Sequence, residues 1–165
     1  MIKLVASDLD GTLLHNYQQT VPKEIYDTIK ALHEKGIIFT AASGRQYANI
    51  RRLFAPLGFD IPYIAENGSM CVYKEEILAT GLTPSKTIRH ILDALMEYRK
   101  IYHTGHCILS VKDTYYSDST DERFIDYMEN DMHNIVTYVP DLYAIKEPII
   151  NCLLYTSDAA DDLIG

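Results

Sequence analysis

Three short apolar runs, with helical patterns between them, organise the first half of the chain. The runs are Ile2 to Ala6, Ile37 to Phe39 and Pro62 to Ala65. Nearly continuous apolar runs of this length are typical of parallel strands covered on both faces. The apolar residues at helical spacing between them are Ile25, Ile29 and Leu32, then Tyr47, Ile50, Phe54 and Leu57. This order of strands and helices predicts a parallel α/β sheet.

Proline, glycine and asparagine residues mark the boundaries of these elements. Pro22 suits the start of the first helix and Gly36 suits its end. Asn67 precedes a glycine, which is a strong turn signal, and the residues after it predict a hairpin of Met70 to Tyr73 against Ile77 to Thr80. We therefore expect the first unit to comprise residues 1–81.

A second α/β module is predicted after Leu82 to Ser85, which has the composition of a linker. Its predicted elements are a helix through Ile88, Ile91, Leu92 and Leu95, strands at Cys107 to Val111, Thr114 to Tyr116 and Ile135 to Val139, and a short helix at Phe124 to Met128. We expect this module to comprise residues 82–151.

Composition narrows the possible partners and compartment. The net charge of -8, from 15 basic and 23 acidic residues, argues against nucleic acid and against an anionic membrane surface. The three cysteines, Cys71, Cys107 and Cys152, form no CxxC pair, so we expect neither a disulfide framework nor a zinc site. A reducing cytoplasm fits best. No apolar segment approaches the ~20 residues of a membrane span.

The candidate chemistry lies directly after the first strand, at Asp8 and Asp10. A carboxylate such as Asp8 can attack a phosphoryl group and form an acyl phosphate. Asp10 is a candidate to protonate the leaving oxygen and later to deprotonate water. Two carboxylates repel a phosphate dianion unless a hard cation is present, so we expect Mg²⁺, held by Asp8 and the Asp10 carbonyl. Gly11 permits a sharp turn, and Thr12 supplies a hydroxyl donor.

The string Asp-Leu-Asp-Gly-Thr-Leu-Leu that begins at Asp8 resembles the first signature of the haloacid dehalogenase (HAD) superfamily. An aspartate pair alone is commonly a loop or a helix cap, but the full string after a buried strand is far more specific. The resemblance implies the N-terminal half of a Rossmann-like HAD core, followed by a partial α/β cap domain.

Two later turns resemble further parts of that family. Ser43, Gly44 and Arg45 resemble the second signature, in which the hydroxyl donates to phosphate. The helix N-terminus then adds N–H groups, and Arg45 offers charge to substrate or phosphate. By itself this turn would more often be only a helix start. Asn67 resembles an asparagine at the active-site mouth of the Cof-type branch (cap type IIB), although a plain turn explains it nearly as well.

The resemblance is incomplete at its C-terminal side. The family's catalytic Lys and its second acidic pair have no counterpart here, so we expect the chain itself to be inactive. Residues 152–165 show neither strand alternation nor a continuation of the cap pattern, and they resemble translated sequencing-adapter read-through. A genuine short acidic tail is the alternative. Without the strands that follow the cap in this family, Ile2 to Ala6 would form an apolar sheet edge that favours self-association.

The function implied by the resemblance is Mg²⁺-dependent hydrolysis of small phosphorylated metabolites such as sugar phosphates. Two alternatives stay open. The first is a phosphate-binding or interaction module without catalysis, and the second is phosphoryl transfer to another acceptor, as in HAD phosphomutases.

Overall fold

The computed structural model describes residues 1–15 and 18–156. They form two compact units, the first spanning Met1–Gly81 and the second beginning at Leu82. The predicted α/β class is confirmed in both.

A mixed five-stranded sheet forms the centre of the first unit. Its strands, in spatial order, are β1 (Leu4–Asp8), β2 (Ile38–Ala42), β3 (Tyr63–Ala65), β4 (Met70–Tyr73) and β5 (Glu76–Thr80). The first three are parallel, and β4 and β5 add an antiparallel hairpin. The predicted alternation of strands and helices is therefore correct.

Two helices connect the parallel strands, α1 (Lys23–Glu34) and α2 (Tyr47–Phe54). Each contributes an apolar stripe to one core, in which Ile29, Ile50 and Phe54 are almost fully buried. The second helix ends at Phe54, earlier than predicted, and continues as a 3-10 turn, Ala55–Leu57. This turn contains Pro56, which has no N–H to donate to the carbonyl of Arg52, so the α-helical hydrogen bonds cannot continue through it.

The first strand begins and ends two residues later than its apolar run predicts. Its parallel pairing with β2 runs from Leu4 opposite Ile38 to Asp8 opposite Ala42. Backbone hydrogen bonds define a strand, so polar Ser7 and Asp8 extend it although they add nothing to the apolar pattern. Among the described residues β1 is an edge strand, and Leu4 is 53% exposed.

Within residues 82–156, the second unit contains a four-stranded sheet and two α-helices. In spatial order its strands are β8 (Val136–Tyr138), β7 (Tyr115–Ser117), β6 (His106–Ser110) and β9 (Asn151–Tyr155). The helices are α3 (Ser85–Tyr102) and α4 (Glu122–Asp126), and α4 continues into a π-helical turn, Tyr127–Asp131. Leu92 and Leu95 of α3 pack against one face of the sheet, and Phe124 of α4 packs against the other.

Residues 152–155 lie in strand β9, although their sequence shows no strand alternation. Strand β9 pairs with β6 in antiparallel register from His106 opposite Tyr155 to Ser110 opposite Asn151. It lacks the usual alternation because both of its faces meet apolar neighbours. Cys152 packs with the α3 side, whereas Leu153 packs with the α4 side. The remainder of the predicted tail, residues 157–165, lies outside the described residues.

No helix within residues 1–15 and 18–156 is long and apolar enough to cross a membrane.

Candidate active site

Three polar turns converge at one edge of the first unit's sheet. They follow β1 at Asp8, β2 at Ser43 and β3 at Glu66. Because β1, β2 and β3 are parallel, their carboxyl ends lie at the same edge, where α/β sheets commonly bind ligands.

The turn after β1 is built around one buried residue. Leu9 is fully buried, and its carbonyl accepts hydrogen bonds from the N–H groups of Thr12 at 3.1 Å and Leu14 at 2.8 Å. Gly11 has φ of +82°, a conformation that glycine adopts without steric cost. This tight turn leaves Asp8 and Asp10 exposed on either side of the buried leucine.

Thr12 reaches back to the first carboxylate. Its Oγ1 donates to Oδ2 of Asp8 at 3.3 Å. The predicted hydroxyl donor is therefore next to the predicted nucleophile.

Ser43 fixes the turn after β2 through three hydrogen bonds. Its N–H donates to the carbonyl of Ile64 at 2.9 Å, and its carbonyl accepts from the N–H of Asn67 at 3.3 Å. Its Oγ accepts from the N–H of Arg45 at 3.1 Å. Ser43 thus ties the second turn to the third, and its side chain is buried.

Gly44 and Asn67 approach each other closely. A Cβ at position 44 would lie 2.6 Å from Oδ1 of Asn67, so only glycine leaves room for this amide. Asn67 and the buried Glu66 both have left-handed backbone, with φ of 56° and 53°. Such backbone costs a residue like Glu66 about 1 kcal/mol or more, whereas asparagine adopts it more readily, and it is often found at functional sites.

The most extensive contact in the site joins Arg45 to Asp10. Nε donates to Oδ2 of Asp10 at 2.9 Å, and Nη2 donates to Oδ1 at 2.6 Å. The sequence predicts that Arg45 offers its charge to substrate or phosphate. In the structure its guanidinium instead donates to both carboxylate oxygens of Asp10.

Two residues of this site escape the sequence-based prediction. Nη1 of Arg45 donates to Oε1 of Gln19 at 3.0 Å and to Oδ1 of Asn49 at 3.4 Å. Asn49 lies in the first turn of α2, four residues after Arg45, close enough in the chain for its side-chain oxygen to reach the guanidinium. Gln19 gives no comparable signal, because the chain between it and Arg45 includes a complete helix and strand.

The structure brings together all seven residues singled out by the motifs. They are Asp8, Asp10, Thr12, Ser43, Gly44, Arg45 and Asn67. A family model described as haloacid dehalogenase-like hydrolase matches residues 5–163 of the chain. The chain belongs to the haloacid dehalogenase-like hydrolase family.

Named relatives share parts of this sequence. Phosphoglycolate phosphatase 1 of Saccharolobus solfataricus is 39% identical over 77 residues, which cover 46% of this chain and 34% of that protein. The chain thus spans about a third of this relative's length.

Solved structures of haloacid dehalogenase-like proteins share the fold. A hydrolase of this kind from B. subtilis superimposes with a TM-score of 0.77 at 20% identity, covering 94% of this chain and 62% of that one. A sugar phosphatase of HAD subclass IIB gives a TM-score of 0.74 at 21% identity, covering 98% and 62%.

Magnesium is the ion that the family resemblance implies, and the donor atoms present fit it in part. Asp8 and Asp10 offer oxygen ligands, which Mg²⁺ prefers, and Mg²⁺ commonly keeps several waters and needs few protein ligands. Since Arg45 occupies both carboxylate oxygens of Asp10, the carbonyl of Asp10 suits the ion better than its side chain. Within residues 1–15 and 18–156, no group of three or more His, Cys, Asp or Glu side chains could hold a metal.

Proposed function

We propose that this chain carries the nucleophile half of an active site that hydrolyses phosphomonoesters. The observation that supports it best is the exposed Asp8 at the end of β1, beside the Thr12 hydroxyl and followed by a fixed Asp10. Asp8 attacks phosphorus, the bond to the leaving oxygen breaks, and an aspartyl phosphate forms. As that bond breaks, Asp10 in its protonated form gives its proton to the leaving oxygen, and the resulting carboxylate then takes a proton from the water that attacks the aspartyl phosphate and releases orthophosphate.

The surrounding groups hold the phosphoryl oxygens. Ser43 offers its hydroxyl proton, since its Oγ acts as the acceptor towards Arg45. The N–H groups at the start of α2 favour negative charge, and Thr12 orients the Asp8 carboxylate. Asn67 lies beside Gly44 at the same end of the sheet. Mg²⁺, held by Asp8 and the Asp10 carbonyl, would offset the negative charge of phosphate and carboxylate.

We propose small phosphorylated metabolites, such as sugar phosphates, as the substrates. The names of the relatives support this class, since one is a phosphoglycolate phosphatase and a structural neighbour is a sugar phosphatase. The net charge of -8 is consistent with a small-molecule partner rather than nucleic acid. The free thiols Cys71, Cys107 and Cys152 are consistent with a reducing cytoplasm.

We propose further that the chain by itself turns over little substrate. The family's Lys and second acidic pair have no counterpart in its sequence, so the charge that develops during phosphoryl transfer is under-compensated. The binding of a phosphoryl mimic therefore tests the site better than the rate of hydrolysis does.

Beryllofluoride, which mimics a phosphoryl group on aspartate, provides this test. With Mg²⁺ present, we expect a bound ¹⁹F NMR signal that disappears in Asp8→Asn. Asp60→Asn is the matched control, because Asp60 is also exposed but lies before β3 rather than after a strand. A bound signal that persists in Asp8→Asn would contradict the role of Asp8.

The alternatives give different results. Sugar phosphates that protect the chain against heat equally well in Asp8→Asn would favour a binding module without catalysis. Appearance of a phosphorylated acceptor in place of orthophosphate would favour phosphoryl transfer. Mg²⁺-dependent hydrolysis of an aryl phosphate that Asp8→Asn abolishes would support the nucleophile and contradict the expected inactivity.

A further inference from the structure

The hydrogen-bonding capacity of Arg45 is used within the chain. A guanidinium has five N–H donors. Nε and Nη2 donate to Asp10, and Nη2 also reaches the carbonyl of Gln18 at 3.5 Å. Nη1 contacts the side-chain oxygens of Gln19 and Asn49. A phosphate could gain a donor from Arg45 only by displacing one of these acceptors.

Arg45 is also a rigid support. Its side chain is 5% exposed, whereas that of Asp10 is 48% exposed. Its N–H is bonded to Ser43, and its carbonyl accepts from the N–H of Glu66 at 3.2 Å. The guanidinium is buried, and the backbone of Arg45 is hydrogen-bonded through both its N–H and its carbonyl. Arg45 therefore fixes the plane and direction of the carboxylate that it binds.

We propose that Arg45 is a positioning residue for Asp10 and does not bind the phosphoryl group. This inference rests on the proposed function, in which Asp10 exchanges protons with the leaving oxygen and with water. Arg45 aims the carboxylate and offsets its charge beside an anionic substrate. Gln19 and Asn49 hold the opposite edge of the guanidinium, so the arginine cannot turn away.

A double-mutant cycle on phosphate affinity tests this role. Orthophosphate binding in Mg²⁺ is measured by calorimetry for the unmodified chain, Arg45→Gln, Asp10→Asn and the double variant. We expect Arg45→Gln to weaken binding about tenfold, because the charge of Asp10 is then uncompensated. In the Asp10→Asn background the same change should have almost no effect.

Arg52→Gln is the matched control. Arg52 also reaches Oε1 of Gln19, at 3.5 Å, but it is exposed, and within the described part of the chain it makes no hydrogen bond to Asp10. Its replacement should leave the phosphate affinity within about twofold of the original. An equal loss from Arg45→Gln with and without the Asp10 carboxylate would mean that Arg45 binds phosphate directly, and would overturn the proposal.

Thermal unfolding of the same four proteins without ligand separates this inference from the proposed function. The destabilisation in the double variant should be smaller than the sum of the single effects, because either change breaks the same pair. Additive effects would overturn the pairing. If the unmodified chain binds no phosphate, the proposed function is contradicted. The unfolding measurements alone then decide whether Arg45 and Asp10 interact. If Arg45→Gln does not fold, Arg45→Lys takes its place. Lysine keeps the positive charge but cannot donate to both carboxylate oxygens as arginine does.

Discussion

Single atoms decide whether the turns of the candidate site keep their shape. The backbone of Gly44 does not have a positive φ, so alanine is conformationally allowed there. The obstacle is the side-chain amide of Asn67, 2.6 Å from where a Cβ would lie. An amide at the end of a side chain can turn aside at low cost, so this contact is more important for the site than for folding.

Gly44→Ala should therefore leave stability nearly unchanged while it moves Asn67. We expect the free energy of unfolding to stay within about 1 kcal/mol of the original, because alanine also reduces the entropy of the unfolded chain. Phosphate affinity should fall if Asn67 borders the phosphate, as measured by calorimetry. Gly81→Ala is the control, since its Cβ would meet nothing closer than 4.0 Å. Equal affinity in both variants would argue against a role for Asn67.

His106 makes stability depend on pH in the second unit. Burial lowers the pKa of His106, and the nearby Arg99 acts in the same direction, while Asp121 and Asp118 oppose it. Its ring stacks on Phe124, with centroids 4.2 Å apart. As the pH falls below about 6.5, histidine in the unfolded chain takes up a proton that folded His106 still resists. The free energy of unfolding should therefore decrease through this range.

Urea titrations between pH 5 and 8 measure this effect. His106→Asn should flatten the pH dependence, and asparagine can keep the contact that Nδ1 makes with Oγ of Ser119 at 2.9 Å. His133→Asn is the matched control, because His133 is exposed and its left-handed backbone tolerates asparagine. If the free energy of unfolding still depends on pH in His106→Asn, another group causes the dependence.

At the scale of elements, one ion pair joins the end of α3 to the sheet of the second unit. Arg99 donates to Asp118 through Nη1 at 2.5 Å and Nη2 at 2.8 Å, and its Nε donates to the carbonyl of Gly105 at 2.9 Å. Both side chains are less than a quarter exposed. Hydrogen bonding to Asp118 raises the pKa of Arg99, so the guanidinium stays charged.

Asp118→Asn should destabilise the chain by about 1–3 kcal/mol, because it leaves a largely buried guanidinium without its counter-charge. Chemical denaturation measures the loss. Glu97→Gln breaks the pair with Lys100 on the same helix, and both of those side chains are about two-thirds exposed. That control should cost about 0.5 kcal/mol or less. Similar losses in the two variants would mean that burial of the Arg99 pair adds nothing.

At the scale of the whole molecule, the described chain has an edge strand that is apolar on its exposed face. Leu4 on β1 pairs with Ile38 on β2, and the two residues are 53% and 50% exposed. An open edge offers unpaired backbone groups, and apolar neighbours strengthen its contact with another chain.

We therefore predict concentration-dependent self-association, measured by sedimentation velocity. Leu4→Lys should shift the chain towards monomer, because a charge on an edge strand opposes strand pairing between chains. Ile101→Lys adds the same charge at a side chain that is 68% exposed on α3 and should have little effect. A purified chain that is monomeric at every concentration, with a cooperative melt, would contradict the prediction.

Much of the fold follows from local patterns. The apolar runs and helical stripes predict the order of elements from β1 to β8, because each pattern reflects which side of a segment is buried. The ends of strands are predicted less well. Backbone pairing extends β1 as far as Asp8. Strand β9 has apolar neighbours on both faces, so its sequence does not alternate between apolar and polar residues.

By itself, the sequence determined the family and the residues that meet at the carboxyl ends of β1, β2 and β3, because short motifs at strand ends are local in the chain. Only the tertiary structure decided which of them touch. Arg45 lies 35 residues from Asp10, and Gln19 lies 26 residues from Arg45. No periodicity links such positions, since a side-chain hydrogen bond depends on where complete elements bring the chain together. The sequence therefore predicts which motif residues belong to the site, but it does not predict which residue each of them is hydrogen-bonded to.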